Sequence, residues 1–173
     1  MLHTMKPETL YVADDGSVPN NRLPFLLYRQ VHAGAMISAS ALEALFSANG
    51  WSGSWRNGVF PFHHYHSTSH EVLGVYAGNA VIQLGGASGP QVEVSQGDVI
   101  VIPAGGGHRR IRASDDFGVV GAYPGGRSYD MCYGEQDERP GTDRRIAAVP
   151  LPVTDPVYGG AGPLCRIWKD AGR

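Results

Sequence analysis

An all-β sandwich or jelly roll with one short N-terminal helix is the fold class this sequence predicts. Three observations carry that expectation. Short apolar or alternating runs crowd the stretch from Trp51 to Tyr123, turn-forming residues interrupt them at close intervals, and the one helix-like pattern lies before them. The 24 glycines and 12 prolines among 173 residues agree with many brief elements joined by turns.

The first 35 residues read as an irregular arm. Asp14-Asp15-Gly16 and Pro19-Asn20-Asn21 are turn material, and Phe25-Leu26-Leu27-Tyr28 is a short apolar run suited to the edge of a sheet. A helix is expected next: Ser40 with Glu43 makes a capping box, Ala41-Leu42 and Ala44-Leu45-Phe46 supply an apolar stripe, and Asn49-Gly50 is a stop. Beyond it, Glu71–Ala77 and Ala80–Leu84 flank Gly78-Asn79 and read as a tight hairpin. Gln91–Val94 alternates polar with apolar, whereas Val99–Ile102 is unbroken and β-branched, the pattern of a strand buried on both faces. Ile111 opens a further segment and Phe117–Tyr123 another. The organisation expected is a single domain over 1–173: an arm and helix over 1–50, a core barrel over 51–124 and an irregular C-terminal strap over 125–173.

Composition narrows the function classes. With 42% hydrophobic and 17% charged residues the chain is too apolar for a disordered one. A formal charge of −2 with interspersed signs gives no footprint for nucleic acid or a membrane surface. Two distant cysteines, Cys132 and Cys165, fit neither a disulfide framework nor a zinc ribbon and point to a reducing compartment. Residues 1–10 contain no apolar segment of the kind a secretory signal needs, so a cytoplasmic protein is expected. Gly85–Gly89 and Gly105–Gly107 lack the Lys-Ser/Thr and the following helix of a phosphate loop and read as turns.

The chemistry concentrates in Gly58–Arg112. Alternate residues of a strand share a face, so His64 and His66 project together while Tyr65 points away. Glu71, a few residues on, and His108, from a distant strand, would complete a set of three nitrogens and one oxygen with positions left for water or substrate. The plainer alternative is four polar residues satisfied by ordinary hydrogen bonds.

These stretches resemble the two motifs of the cupin superfamily, G-x5-H-x-H-x4-E-x6-G and G-x5-P-x-G-x2-H-x3-N. Gly58, His64, His66, Glu71 and Gly78 fill the first; Gly97, Pro103, Gly105 and His108 fill the second up to its last position, where Arg112 replaces asparagine. Phrases such as Trp51–Gly58, His63–His70 and Gly121–Gly125 are similar to the small bacterial YjlB-like cupins over roughly 23–168. The resemblance implies a double-stranded β-helix barrel and a divalent metal ion, Fe, Mn, Ni or Zn, held by His64, His66, Glu71 and His108. His70, one residue earlier, is the alternative to Glu71, and His63 is expected at the surface or behind the ligands.

Arg112 shares parity with His108 and is expected to face the interior, where an arginine needs an anionic partner: a carboxylate-bearing substrate, Asp98 or Glu71. Arg110, Tyr76 and Tyr123 are further candidate substrate contacts, and Trp51, Trp55 and Phe62 are candidate lining residues. The function implied is an enzyme of dioxygenase or isomerase type acting on a small polar metabolite, with a non-catalytic metal- or metabolite-sensing module as the alternative. A homodimer formed through sheet edges is expected, with Phe25–Tyr28 as the pairing strand.

Overall fold

A computed structural model describes residues 4–32 and 35–173. Residues 1–3, part of the segment read above for targeting signals, lie outside it. In chain order the elements are β1 (Glu8–Leu10), β2 (Phe25–Tyr28), α1 (Ala39–Ala48), β3 (Trp51–Asn57), β4 (Glu71–Ala77), β5 (Asn79–Leu84), β6 (Gln91–Ser95), β7 (Val99–Ile102), β8 (His108–Ala113), β9 (Gly118–Pro124), α2 (Gly141–Ala148) and α3 (Pro163–Ala171). Two antiparallel sheets result, a six-stranded one ordered β1-β2-β7-β4-β9-β3 and a three-stranded one ordered β6-β5-β8. This is the jelly-roll class that the strand-rich centre predicts. No helix among the described residues is long and apolar enough to cross a membrane.

Alternation along the large sheet produces two cores. Phe25, Leu27, Leu73, Val75, Ile100, Ile102 and Val119 face the small sheet and pack with Ile82, Leu84, Val92 and Val94. Leu26, Tyr28, Val72, Val99, Val101 and Val120 face the other way, against Leu42 and Phe46 of α1 and Leu164 and Trp168 of α3. Both faces of β7 are therefore covered, as its β-branched run requires.

Several expectations need correction. The tail contains two helices where an irregular strap was expected, so the described residues hold three. Leu164 and Trp168 stand four residues apart on α3 and give it an apolar stripe that docks on the sheet. The helix α1 is capped by Ser38, whose Oγ accepts from Ala41 N–H at 3.1 Å, and Ser40 lies inside it. Asn49 and Gly50 end it as expected, Gly50 with φ of +78°.

Strand β2 is no edge. It pairs with β1 on one side and β7 on the other, with Leu26 and Leu27 matched on both, so it is not an open edge for a second chain. Gly78 and Asn79 make no hairpin either: β4 belongs to the large sheet and β5 to the small one. Gly78 turns the corner at φ +67°, and a Cβ there would lie 2.3 Å from Ser114 Oγ, so the crossing needs glycine on both counts.

Asn20 braces this framework from the arm. Buried at φ +55°, it donates to the carbonyls of Ala13 (2.9 Å) and Gly85 (2.8 Å) and accepts from Gly107 N–H at 3.1 Å. Gly107 leads directly into His108, so the arm fixes the start of β8. Asn20→Ala leaves these groups unpaired and puts a less tolerant residue at positive φ, for an expected loss of about 3 kcal/mol. Urea denaturation of the variant against the wild type checks this.

Candidate metal centre

The segment Phe60–His66 runs antiparallel beside β8. Arg110 N–H donates to Phe60 O at 2.9 Å, and His64 and His108 exchange backbone bonds at 3.2 and 3.0 Å. On its other side Tyr65 exchanges two 2.9 Å bonds with Cys132. Extended geometry then sends His64 and His66 one way and Tyr65 the other, where its hydroxyl donates to Glu138 at 2.8 Å. Glu71 opens β4 on the face shared by Leu73 and Val75, between the sheets. His108 opens β8. These elements bring ligand atoms of His64, His66 and His108 within 4.8 Å of one another, all three residues buried. Glu71 Oε2 stands 3.2 Å from His66 Nε2 and 3.3 Å from His108 Nε2.

Hydrogen bonds behind the rings determine which atoms face the centre. His64 Nδ1 meets Phe62 O at 3.1 Å, His66 Nδ1 meets Asp130 O at 2.6 Å, and His108 Nδ1 meets Gly106 O at 3.1 Å. A carbonyl only accepts, so each Nδ1 carries a hydrogen, and in the neutral ring Nε2 is left as a bare lone pair. Glu71 Oε1 accepts from Tyr123 Oη at 3.1 Å, and that hydroxyl accepts from Trp55 Nε1 at 2.7 Å. Oε2 is buried and has no hydrogen-bond partner. Three imidazole lone pairs thus share a small volume, with a carboxylate oxygen beside two of them.

Electrostatics reflect that crowding. Burial and the neighbouring His108 push His64 down to about 3. Burial would raise Glu71, but attraction from His66 and His108 outweighs it and holds the carboxyl well below its usual range. Burial likewise disfavours the charged His66 ring, and Glu71 beside it more than compensates, so His66 is raised. A divalent cation would neutralise the electron pairs gathered there.

A family model described as the cupin domain matches residues 56–120. Over 162 residues the chain is 43% identical to the uncharacterized protein YjlB of Bacillus subtilis (strain 168), covering 93% of this chain and 96% of that protein. The chain belongs to the cupins. Among solved structures, this cupin is similar to the dTDP-6-deoxy-D-glucose-3,5-epimerase RmlC of Legionella pneumophila Philadelphia 1, with 15% identity, TM-score 0.40, 72% of this chain and 73% of that one. It is also similar to an acireductone dioxygenase from Bacillus anthracis, with 21% identity and TM-score 0.35, over 49% of this chain and 56% of that one.

In this cupin His70 stands apart from the three histidines. Lying on the opposite face of the chain from Glu71, it packs on Trp168, with ring centroids 4.7 Å apart. Its Nδ1 accepts from Ala104 N–H at 2.9 Å, which leaves Nε2 to donate to Pro150 O at 3.2 Å. Burial pushes its pKa down to about 4. The unfolded chain takes up this proton near pH 6.5 and the folded one only near 4, so stability is lost as pH falls through that window. Wild type is expected to lose about 2 kcal/mol more than His70→Gln between pH 7.5 and 5, measured as urea midpoints. His63 is half-buried, with both ring nitrogens shielded from solvent and lacking hydrogen-bond partners.

Arg112 does not face the interior. Val81 pairs with Arg112 and Ile82 with Arg110, so Ile111 is an extra residue that reverses the parity counted from His108. Arg112 is exposed and meets Glu93 at 3.4 Å, and neither Asp98 nor Glu71 is its partner. Arg110 and Tyr76 also lie outside the histidine-lined cavity, and Trp51 is buried in the helix-facing core. With these arginines elsewhere, the expectation of a carboxylate-bearing substrate loses its basis.

Tyr123 does line that cavity of 260 Å³, together with Trp55, Phe60, Tyr129 and Met131. Phe62 stands just outside, stacked on Phe60. Gly121 makes room for Trp55: a Cβ there would fall 2.3 Å from the indole. Sequence reading missed Tyr129, Met131 and Asp130, which sit in the polar stretch after Pro124. Asp130 ties that stretch down by accepting from Ser67 N–H at 2.6 Å and Thr68 N–H at 3.3 Å, while its carbonyl holds His66.

Proposed function

We propose that this cupin binds a divalent metal ion, Fe, Mn, Ni or Zn, through His64 Nε2, His66 Nε2, His108 Nε2 and Glu71, and that it is an enzyme of dioxygenase or isomerase type. One observation supports the reading: the backbone carbonyls behind the rings leave three buried Nε2 lone pairs close together, two of them within 3.3 Å of a Glu71 oxygen that has no hydrogen-bond partner. Such a donor set suits a borderline ion and leaves positions for a small molecule, which the ion would polarise as a Lewis acid or bind beside O2.

The protein's own groups do the orienting. Trp55 Nε1 is donor-only, so it forces the Tyr123 hydroxyl to spend its hydrogen on Glu71 Oε1, which fixes the carboxylate plane. Leu73, Val59 and the aromatic walls put apolar surface beside these polar groups, which strengthens their interactions.

Elemental analysis of protein purified without a metal-affinity column is expected to give about one divalent ion per chain, removable by chelator. Protein that neither arrives with metal nor takes up added metal overturns the reading. Oxygen uptake by anaerobically iron-loaded protein presented with candidate diols and keto acids then separates the two reaction types: substrate-dependent uptake supports the dioxygenase, and turnover without uptake supports the isomerase.

A further inference from the structure

We infer that the cavity beside the histidines selects a small, planar aromatic molecule rather than a carboxylate-rich one. The inference rests on the metal site proposed above and assigns the substrate class of that site.

Aromatic rings flank the histidines on both sides. Phe60 lies edge-on to His64 at 5.4 Å, and Tyr129 lies edge-on to His66 at 4.9 Å. Each flanking ring is itself stacked, Phe60 on Phe62 at 4.9 Å and Tyr129 on Tyr123 at 4.5 Å, so these walls are backed and held in place. Trp55 and Met131 complete the lining. Such faces favour a flat π-system through offset and edge contacts, and a thioether adds favourable contact with a ring edge.

Charge argues the same way. Arg56 is the one arginine or lysine among the described residues lining this cavity. Its guanidinium is engaged by Glu43 through two 2.8 Å bonds, Nε to Oε1 and Nη2 to Oε2. A bidentate pair of that kind leaves little of the fork to clamp an incoming carboxylate. Glu71 adds a negative charge at the base. A multiply charged anion therefore finds only the metal as counter-charge, whereas an aromatic body finds matching surface throughout. At 260 Å³ the cavity lies just below the usual range for drug-sized ligands, which suits a single substituted ring.

Two hydroxamates with the same metal-binding head separate these possibilities, benzohydroxamate carrying a phenyl group and acetohydroxamate a methyl. Calorimetric titration of metal-loaded protein is expected to show benzohydroxamate binding on the order of tenfold tighter. The double variant Phe60→Ala/Tyr129→Ala is expected to lose most of that preference, read as the ratio of the two affinities so that any general weakening of metal or ligand binding cancels. Both side chains are nearly half exposed, at 47% and 45%, so the variant keeps the core and folds. Equal affinities for the two hydroxamates, an unchanged preference in the variant, or oxalate binding tighter than benzohydroxamate overturns the inference. A protein that retains no metal fails earlier and differently, because the metal reading itself then falls.

Discussion

His66→Ala is expected to lower divalent-metal affinity by about 100-fold and to remove about two thirds of the thermal stabilisation that metal confers on the wild type at a thousandfold excess over its Kd. An ion that binds only the folded state stabilises it by RT ln(1 + [M]/Kd), about 4 kcal/mol at a thousandfold excess over Kd. For a domain of this size that is a rise in Tm of roughly 8–16 °C. Scanning calorimetry of chelator-treated protein with and without added metal measures the rise, and the same pair of scans on the variant is expected to differ by about a third as much. His66 is the most informative residue to remove, since it faces Glu71 at 3.2 Å and is held from behind by Asp130 O. A variant that gains as much stability from metal as the wild type would place the ion elsewhere.

Asp155→Ala carries the largest expected cost to the fold, about 4–5 kcal/mol. The carboxylate is completely buried. Its Oδ1 accepts from Val157 N–H at 2.8 Å and Tyr158 N–H at 3.1 Å, and Oδ2 accepts from Leu164 N–H at 3.1 Å and from the Tyr28 hydroxyl. Leu164 lies in the first turn of α3 and Tyr28 in β2, so one side chain fastens the C-terminal helix to the large sheet. Alanine strands four donors in a core that water does not reach. Asparagine keeps the Oδ1 acceptor and is expected to cost less than half as much in guanidinium denaturation, which separates lost hydrogen bonds from lost volume. Metal stoichiometry of the folded fraction is expected to be unchanged, because Asp155 lies on the helix side of the sheet.

The parts of the site that follow from strand alternation were legible in the sequence. His64 and His66 share a face because Tyr65 lies between them, and the structure separates Glu71 from His70 by the same rule, one toward the small sheet and one toward Trp168. Counting by two failed for Arg112, because Ile111 is an extra residue opposite Val81 and Ile82 and no residue there announces a bulge. The Gly78-Asn79 corner failed for a related reason: positive φ is needed by a hairpin and by a crossing between sheets alike. Asp130 was invisible because it holds His66 through a backbone carbonyl, which every residue has. Helix α3 left a signal in Leu164 and Trp168 at helical spacing, masked by the glycines and proline before it.

Gly121 and its bare Cα have a practical consequence. By letting the indole of Trp55 lie flat on β9, it places one chromophore in contact with the Tyr123 hydroxyl and, through it, with the carboxylate of the site. The other two tryptophans, Trp51 and Trp168, are sealed in the helix-facing core with their Nε1 atoms bound to Thr154 O and Pro24 O. Intrinsic fluorescence is therefore spatially resolved in this protein: two emitters report on the integrity of the fold, and one reports on what enters the cavity.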